Sequence, residues 1–135
     1  VINVSNPASP AVTGSIDVGD HAYCLYLNKE NKTLTGEKTK FYIVNASSPS
    51  NMTILGSASI GNKTRDIVSA GSLAFLATEN PNAEFQVYDI SNPASPSLWS
   101  SFNFPQMATG IDYEDNIVYV SVRSNDALRI ITSTP

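Results

Sequence analysis

The chain has 135 residues, of which 41% are hydrophobic and 15% charged, and it carries a net charge of −4 with a sequence pI near 4.7. That length is one ordinary domain with enough apolar residues for a core. Its acidic balance and lack of a Lys/Arg cluster exclude the counterion-replacing surface that nucleic-acid binding needs, and no apolar run is long enough to span a bilayer. Cys24 stands alone, which excludes an intrachain disulfide.

The organising feature is a hexapeptide that occurs twice, at Ser5-Asn6-Pro7-Ala8-Ser9-Pro10 and Ser91-Asn92-Pro93-Ala94-Ser95-Pro96. A worn copy, Ser47-Ser48-Pro49-Ser50, lies between them, and Thr132-Ser133-Thr134-Pro135 echoes it at the end. The marking prolines stand at 7, 49, 93 and 135, so they are 42, 44 and 42 residues apart. A fixed period in this range is the mark of a repeat architecture.

Within each period four short strands, a to d, are expected. Strand a follows the Pro turn and alternates strictly: Val12, Gly14, Ile16 and Val18, then Ile54, Gly56, Ala58 and Ile60, then Leu98, Ser100, Phe102 and Phe104. A period of two with one polar face predicts a half-buried strand. Turn residues follow at Gly19-Asp20, Gly61-Asn62 and Pro105-Gln106. Strand b is expected over 24–27, 66–69 and 110–113, and hairpin turns at 70–72 and 114–116 lead to strand c over 73–77 and 117–122. In the first period strand c reads as short or frayed, because 28–40 is a polar tract broken only by Leu34. Strand d returns to the Pro turn at 41–44, 85–88 and 128–131, and Val1 and Ile2 match the end of a d strand. No stretch carries a helical period, so an all-β chain is expected.

Four strands every 42 to 44 residues is the spacing of a β-propeller blade. Repetition has a physical cause: one small twisted sheet cannot bury both faces, and stacking copies does. The units are drawn as three four-stranded blades at about 1–40, 41–84 and 85–127, with a surplus strand in 128–135 starting a fourth motif.

The segment Val87-Tyr88-Asp89-Ile90-Ser91-Asn92-Pro93-Ala94-Ser95-Pro96 resembles the LVIVD repeat, an apolar strand, an Asp, an apolar residue and then Ser-Asn/Asp-Pro-x-x-Pro. The resemblance is strong in the third period, good in the first and degraded in the second; Asn3 and Asn45 stand where the repeat has Asp89. Either side chain caps the turn through an Asx hydrogen bond. The resemblance implies an extracellular or envelope β-propeller of bacterial or archaeal type, and implies no reaction.

The residues by themselves point to no chemistry. Cys24, in an apolar run, reads as a buried small hydrophobe rather than a reactive thiol. His21, the only histidine, reads as a loop residue, since no nucleophile-elbow motif accompanies it and one His with one Cys is short of a zinc site. Asp112, Glu114 and Asp115 offer oxygens for calcium but fall where a hairpin turn is expected. Ser15-Ile16-Asp17-Val18-Gly19 matches only half of the Asp-box turn and reads as coincidence. No catalytic residue, metal ligand or cofactor is therefore assigned.

Three sets of residues remain as candidates. Tyr23, Arg65 and Thr109 hold equivalent positions at the start of strand b, where they would face a ligand if those strands begin at one rim of a channel. Of five N-x-S/T sequons, Asn31, Asn51 and Asn62 lie in loops and are the better glycan acceptors, while Asn3 and Asn45 are engaged in turn caps. Leu128, Arg129, Ile130 and Ile131 form a candidate assembly strand, because propellers close with about 4–8 blades and open edges need cover. The expected partners are further blades of the same chain, a second copy in a six-bladed ring, or copies joined head to tail. The first residue is Val rather than Met, so the chain is expected to be a processed or trimmed part of a longer product. The expected role is a non-enzymatic module at the cell surface or secreted, used as a scaffold, adhesin-like binder or assembly protein. The alternatives are a fibre subunit completed by strand exchange and a fragment of a propeller hydrolase.

Overall fold

The computed structural model describes residues 1–125 and 127–132. The last Pro-marked motif thus falls largely outside the described residues, with Ser133, Thr134 and Pro135. Among the described residues there are thirteen strands and no helix. Sheet I pairs β1 (Ile2–Asn3) with β2 (Ala11–Val12). Sheet II is an antiparallel meander of β3 (Cys24–Leu27), β4 (Lys32–Gly36), β5 (Lys40–Asn45) and β6 (Thr53–Ser59). Sheet III repeats it with β7 (Thr64–Ala70), β8 (Leu73–Thr78), β9 (Phe85–Asp89) and β10 (Ser97–Phe102). Sheet IV holds β11 (Ala108–Glu114), β12 (Ile117–Val122) and β13 (Leu128–Thr132).

The hydrogen-bonded sheets are out of phase with the sequence repeat. Each full sheet takes strands b, c and d from one period and strand a from the next, so the Pro turn lies inside a sheet, between its third and fourth strands. That turn is built three times over. Asn3 Oδ1 accepts the Ser5 N–H at 2.9 Å, Asn45 Oδ1 that of Ser47 at 3.0 Å and Asp89 Oδ1 that of Ser91 at 2.8 Å. A second bond then closes each: Ser9 to Asn6 at 3.0 Å, Asn51 to Ser48 at 2.9 Å and Ser95 to Asn92 at 3.0 Å. Asn and Asp are equivalent here because only the side-chain oxygen is used.

Two expectations are corrected. Strand c of the first period is neither short nor frayed: β4 has five residues, pairs along its length with β3 and β5, and buries Leu34 fully. Its polarity is absorbed locally, since Thr35 Oγ1 donates to the Cys24 carbonyl at 3.0 Å. A tight turn starts it, with Asn28 Oδ1 accepting the N–H groups of Glu30 and Lys32 and Asn31 at φ 57°. The a strands, expected to be half-buried, are so in the first two periods, where Gly14, Ile16 and Val18 and then Gly56, Ala58 and Ile60 are covered and their neighbours exposed, but β10 is exposed along its whole length. Each a strand is the last strand of its sheet; the Pro turn of the next sheet lies against Gly14 and Gly56, and β10 has Ser100 at the matching position.

Two core clusters lie between the sheets. Leu34, Phe41 and Ile43 of sheet II pack with Ile67, Leu76 and Tyr88 of sheet III. Phe75 and Phe85 of sheet III pack with Ile111, Val118, Val120 and Val122 of sheet IV. Burial is therefore a property of the joints between sheets, as expected for stacked repeats.

Candidate functional site

The sheets meet through their first strands. β7 lies between β3 on one side and β11 on the other. The Tyr26 hydroxyl of β3 donates to the Ser69 carbonyl of β7 at 3.2 Å. On the far side, Asp66 Oδ2 of β7 accepts the Ile111 N–H of β11 at 3.0 Å, while its Oδ1 accepts the Ile67 N–H at 2.9 Å. One carboxylate thus ties two sheets together with charge-assisted bonds. Asp66 stands where the neighbouring periods have Cys24 and Gly110, so periodicity gave no sign of it.

The candidate ligand-facing residues lie at the beginnings of these strands. Arg65 and Thr109 are the extra residues of β-bulges: β7 steps from Thr64 to Asp66 against β8, and β11 from Ala108 to Gly110 against β12. A bulge re-aims the side chain it carries. Each residue nevertheless has a local partner. The Lys63 ammonium stands 3.7 Å from the Tyr23 ring centroid, a cation–π contact; Arg65 pairs with Glu79; Thr109 Oγ1 lies 3.0 Å from Ser121 Oγ.

Burial pushes the Cys24 thiol up to about 11, so at neutral pH it is a thiol and not a thiolate. His21 is exposed, with Nδ1 2.8 Å from Asp20 Oδ1, and this bond holds the Asp20 carboxyl below the usual range. Asp115 and Asn116 both have positive φ, at 51° and 63°, which makes the β11–β12 connection a tight hairpin turn. Asp112 lies within β11, its Oδ1 accepting the Tyr113 N–H at 2.8 Å, and the Tyr113 hydroxyl donates to Asn116 Oδ1 of the turn at 2.9 Å. Asp17 Oδ1 accepts the Gly19 N–H at 2.7 Å, which gives the half Asp-box a turn-forming role. Among the described residues no three His, Cys, Asp or Glu side chains gather as metal ligands.

Of the sequon residues, Asn31 sits in the β3–β4 turn, Asn51 is exposed beside the second Pro turn, and Asn62 donates its amide to the Glu79 carbonyl at 3.2 Å. The assembly-strand residues Leu128 to Ile131 are the core of β13, which pairs with β12 and ends sheet IV.

Sequence reasoning missed two further features. A Cβ added at Gly14 would overlap the Pro49 carbonyl oxygen, and one at Gly56 would overlap that of Pro93. The Pro turn of each sheet thus seats in a glycine notch on the a strand of the sheet before it. The signal was present, since these glycines keep step with the prolines. The second feature is a groove of about 390 Å³ between sheets III and IV, lined by Phe75, Phe85, Val87, Trp99, Tyr113 and Ile131.

The model of the LVIVD repeat matches residues 1–18 and 61–104. The chain carries LVIVD repeats. The first match covers sheet I and its Pro turn, and the second covers sheet III. Sheet II, outside the match, has the same four-stranded order as the sheet inside it. No curated protein matches the chain. Among solved structures it is similar to the computationally designed Ika4 protein, with 10% identity and a TM-score of 0.49 over 89% of this chain and 96% of that one. It is also similar to the computationally designed Ika8 protein, with 9% identity and a TM-score of 0.45 over 83% of this chain and 46% of that one. Among the described residues no helix is long and apolar enough to cross a membrane.

Proposed function

We propose that the LVIVD repeats form part of a β-propeller, with the sheets as blades, and that the module is a non-enzymatic scaffold or binding protein outside the cell. The observation that carries this reading is the repeated joint. First strands lie side by side from sheet II to sheet III to sheet IV, and each glycine notch takes the Pro turn of the next sheet. Joints that repeat between twisted sheets turn each sheet in the same sense, which is how blades come to surround an axis. Tyr23, Arg65 and Thr109 then stand at one rim, the place where a ligand of the module would be met, and Asn31 and Asn51 lie on its outer loops.

A crystal structure tests the architecture: first strands arranged around a common axis support it, and a flat stack without an axis overturns it. For the location, intact source cells are treated with a membrane-impermeant amine label. Labelling of the chain before lysis is expected, and labelling only after lysis would refute the extracellular role.

A further inference from the structure

The two internal joints present the same positions with different side chains. By the cross-strand registers Tyr88 of sheet III and Ile131 of sheet IV are equivalent, lying opposite Ala74 and Val118 of their c strands. Phe41 of sheet II and Phe85 of sheet III are equivalent in the same way. At the first joint the Tyr88 ring fills the space between the sheets. It meets Phe41 edge-on at 4.9 Å, is 2% exposed, and its hydroxyl donates to the Ser59 carbonyl at 2.7 Å. At the second joint Ile131 takes its place, without a ring and without an oxygen. Ile131 is half-buried against the cluster that holds Phe85, and both residues line the groove of about 390 Å³. The walls change in the opposite sense. Trp99 stands at the bulge where sheet II has Leu55, and Tyr113 stands where sheet III has Ser69. The second joint has thus lost the ring in the middle and gained rings around it.

We infer that the groove between sheets III and IV binds a small phenol, whose ring lies beside Ile131 and edge-on to Phe85, as the Tyr88 ring lies on Phe41. The chain itself shows the occupant, because it supplies that ring at one joint and omits it at the next. Its hydroxyl has a partner of the same kind. Asn103 follows Phe102 as Ser59 follows Ala58, and Phe102 and Ala58 pair with Phe85 and Phe41, so the Asn103 carbonyl holds the place of the Ser59 carbonyl. An apolar cavity walled by aromatic and branched side chains stays dry and takes up ring-shaped molecules. A ring placed edge-on to Phe85 gains the attraction of a T-shaped pair. The volume also falls within the range of small-ligand sites, about 300–1,000 Å³. This site is distinct from the rim residues: it lies by Tyr113 and Asn116, at the other end of β11 from Thr109.

The probes are p-cresol, which is the tyrosine side chain as a free molecule, and toluene, which lacks its hydroxyl. Trp99 is the only tryptophan and lines the groove, so its indole N–H gives one NMR signal that reports the site. Saturable movement of that signal by millimolar p-cresol is expected, with toluene binding about fivefold more weakly for want of one hydrogen bond. No saturable movement overturns the site, and toluene binding as tightly as p-cresol overturns a phenol as its ligand. Ile131→Tyr puts the chain's own ring in the groove. In that variant p-cresol no longer moves the Trp99 signal, and the melting temperature rises by a few degrees as the space fills. A lower melting temperature, or binding that persists, refutes an open place for a ring beside Ile131. Tyr88→Ala opens the equivalent place at the first joint, and p-cresol is expected to recover part of the lost melting temperature. A Tyr88→Ala protein that p-cresol leaves unchanged counts against a ring entering either joint.

Discussion

Between sheets II and III, Gly56 lets the Pro93 carbonyl lie directly against β6, and the joint closes on fully buried Phe41, Leu34 and Ile43. Between sheets III and IV the equivalent of Gly56 is Ser100, each being the residue after a bulge, at Leu55 and Trp99 respectively. This second joint is held instead by near-parallel rings, Phe85, Phe75 and Tyr113, and by the Asp66 carboxylate reaching the Ile111 N–H. It also keeps an open groove of about 390 Å³. The comparison teaches that both joints of one repeat pattern use side-chain bridges, the Tyr26 hydroxyl to the Ser69 carbonyl at the first and Asp66 to the Ile111 N–H at the second, and that the first adds a close backbone approach at Gly56.

The largest test of that contrast is Phe41→Ala, expected to cost about 3–5 kcal/mol by urea unfolding. Tyr113→Ala at the other joint, where the ring is half-buried, is expected to cost about 1–2 kcal/mol. Equal losses would erase the distinction. Transplanting the third-period residue, Gly56→Ser, forces a Cβ into the Pro93 carbonyl and should cost about 1–3 kcal/mol. The reverse change, Ser100→Gly, should cost less than about 1 kcal/mol, from backbone entropy alone. Asp66→Ala leaves the Ile111 N–H without its acceptor and is expected to cost about 1–2 kcal/mol. Thermal melts in which Asp66→Ala behaves as wild type would show that the bridge carries nothing.

Cys24 reports on the first joint without substitution. With its thiol pushed up to about 11, alkylation of the folded protein at pH 8 should run about two orders of magnitude slower than after denaturation. The smallest expected effect concerns the third Pro turn. The Ser91 N–H bond holds the Asp89 carboxyl below its usual range, so its stabilisation is present above the unfolded value, near 3.9, and is lost as pH falls through the folded one. Asp89→Asn, which copies Asn3 and Asn45, keeps the cap uncharged and should flatten the stability profile below about pH 4.

Much of this protein was legible in the chain. Twelve of the thirteen strands were expected as strands, and the one read as frayed, β4, was hidden because Thr33 and Thr35 alternate with a single Leu34. Threonine is as good a strand former as valine, but it leaves no apolar mark. Of the candidate site, the positions of Tyr23, Arg65 and Thr109 followed from the repeat. Their partners Lys63, Glu79 and Ser121 did not, because each comes from a different strand or loop.

Local preference settled the sequence-determined part: alternation fixes strands, and Asn or Asp with Pro fixes turns, over stretches of a few residues. Only the tertiary structure decided that a sheet spans two repeats, that glycine notches receive the Pro turns and that Asp66 bridges two sheets. Those contacts join residues some forty positions apart, and their energies depend on distance and burial, which no local pattern encodes.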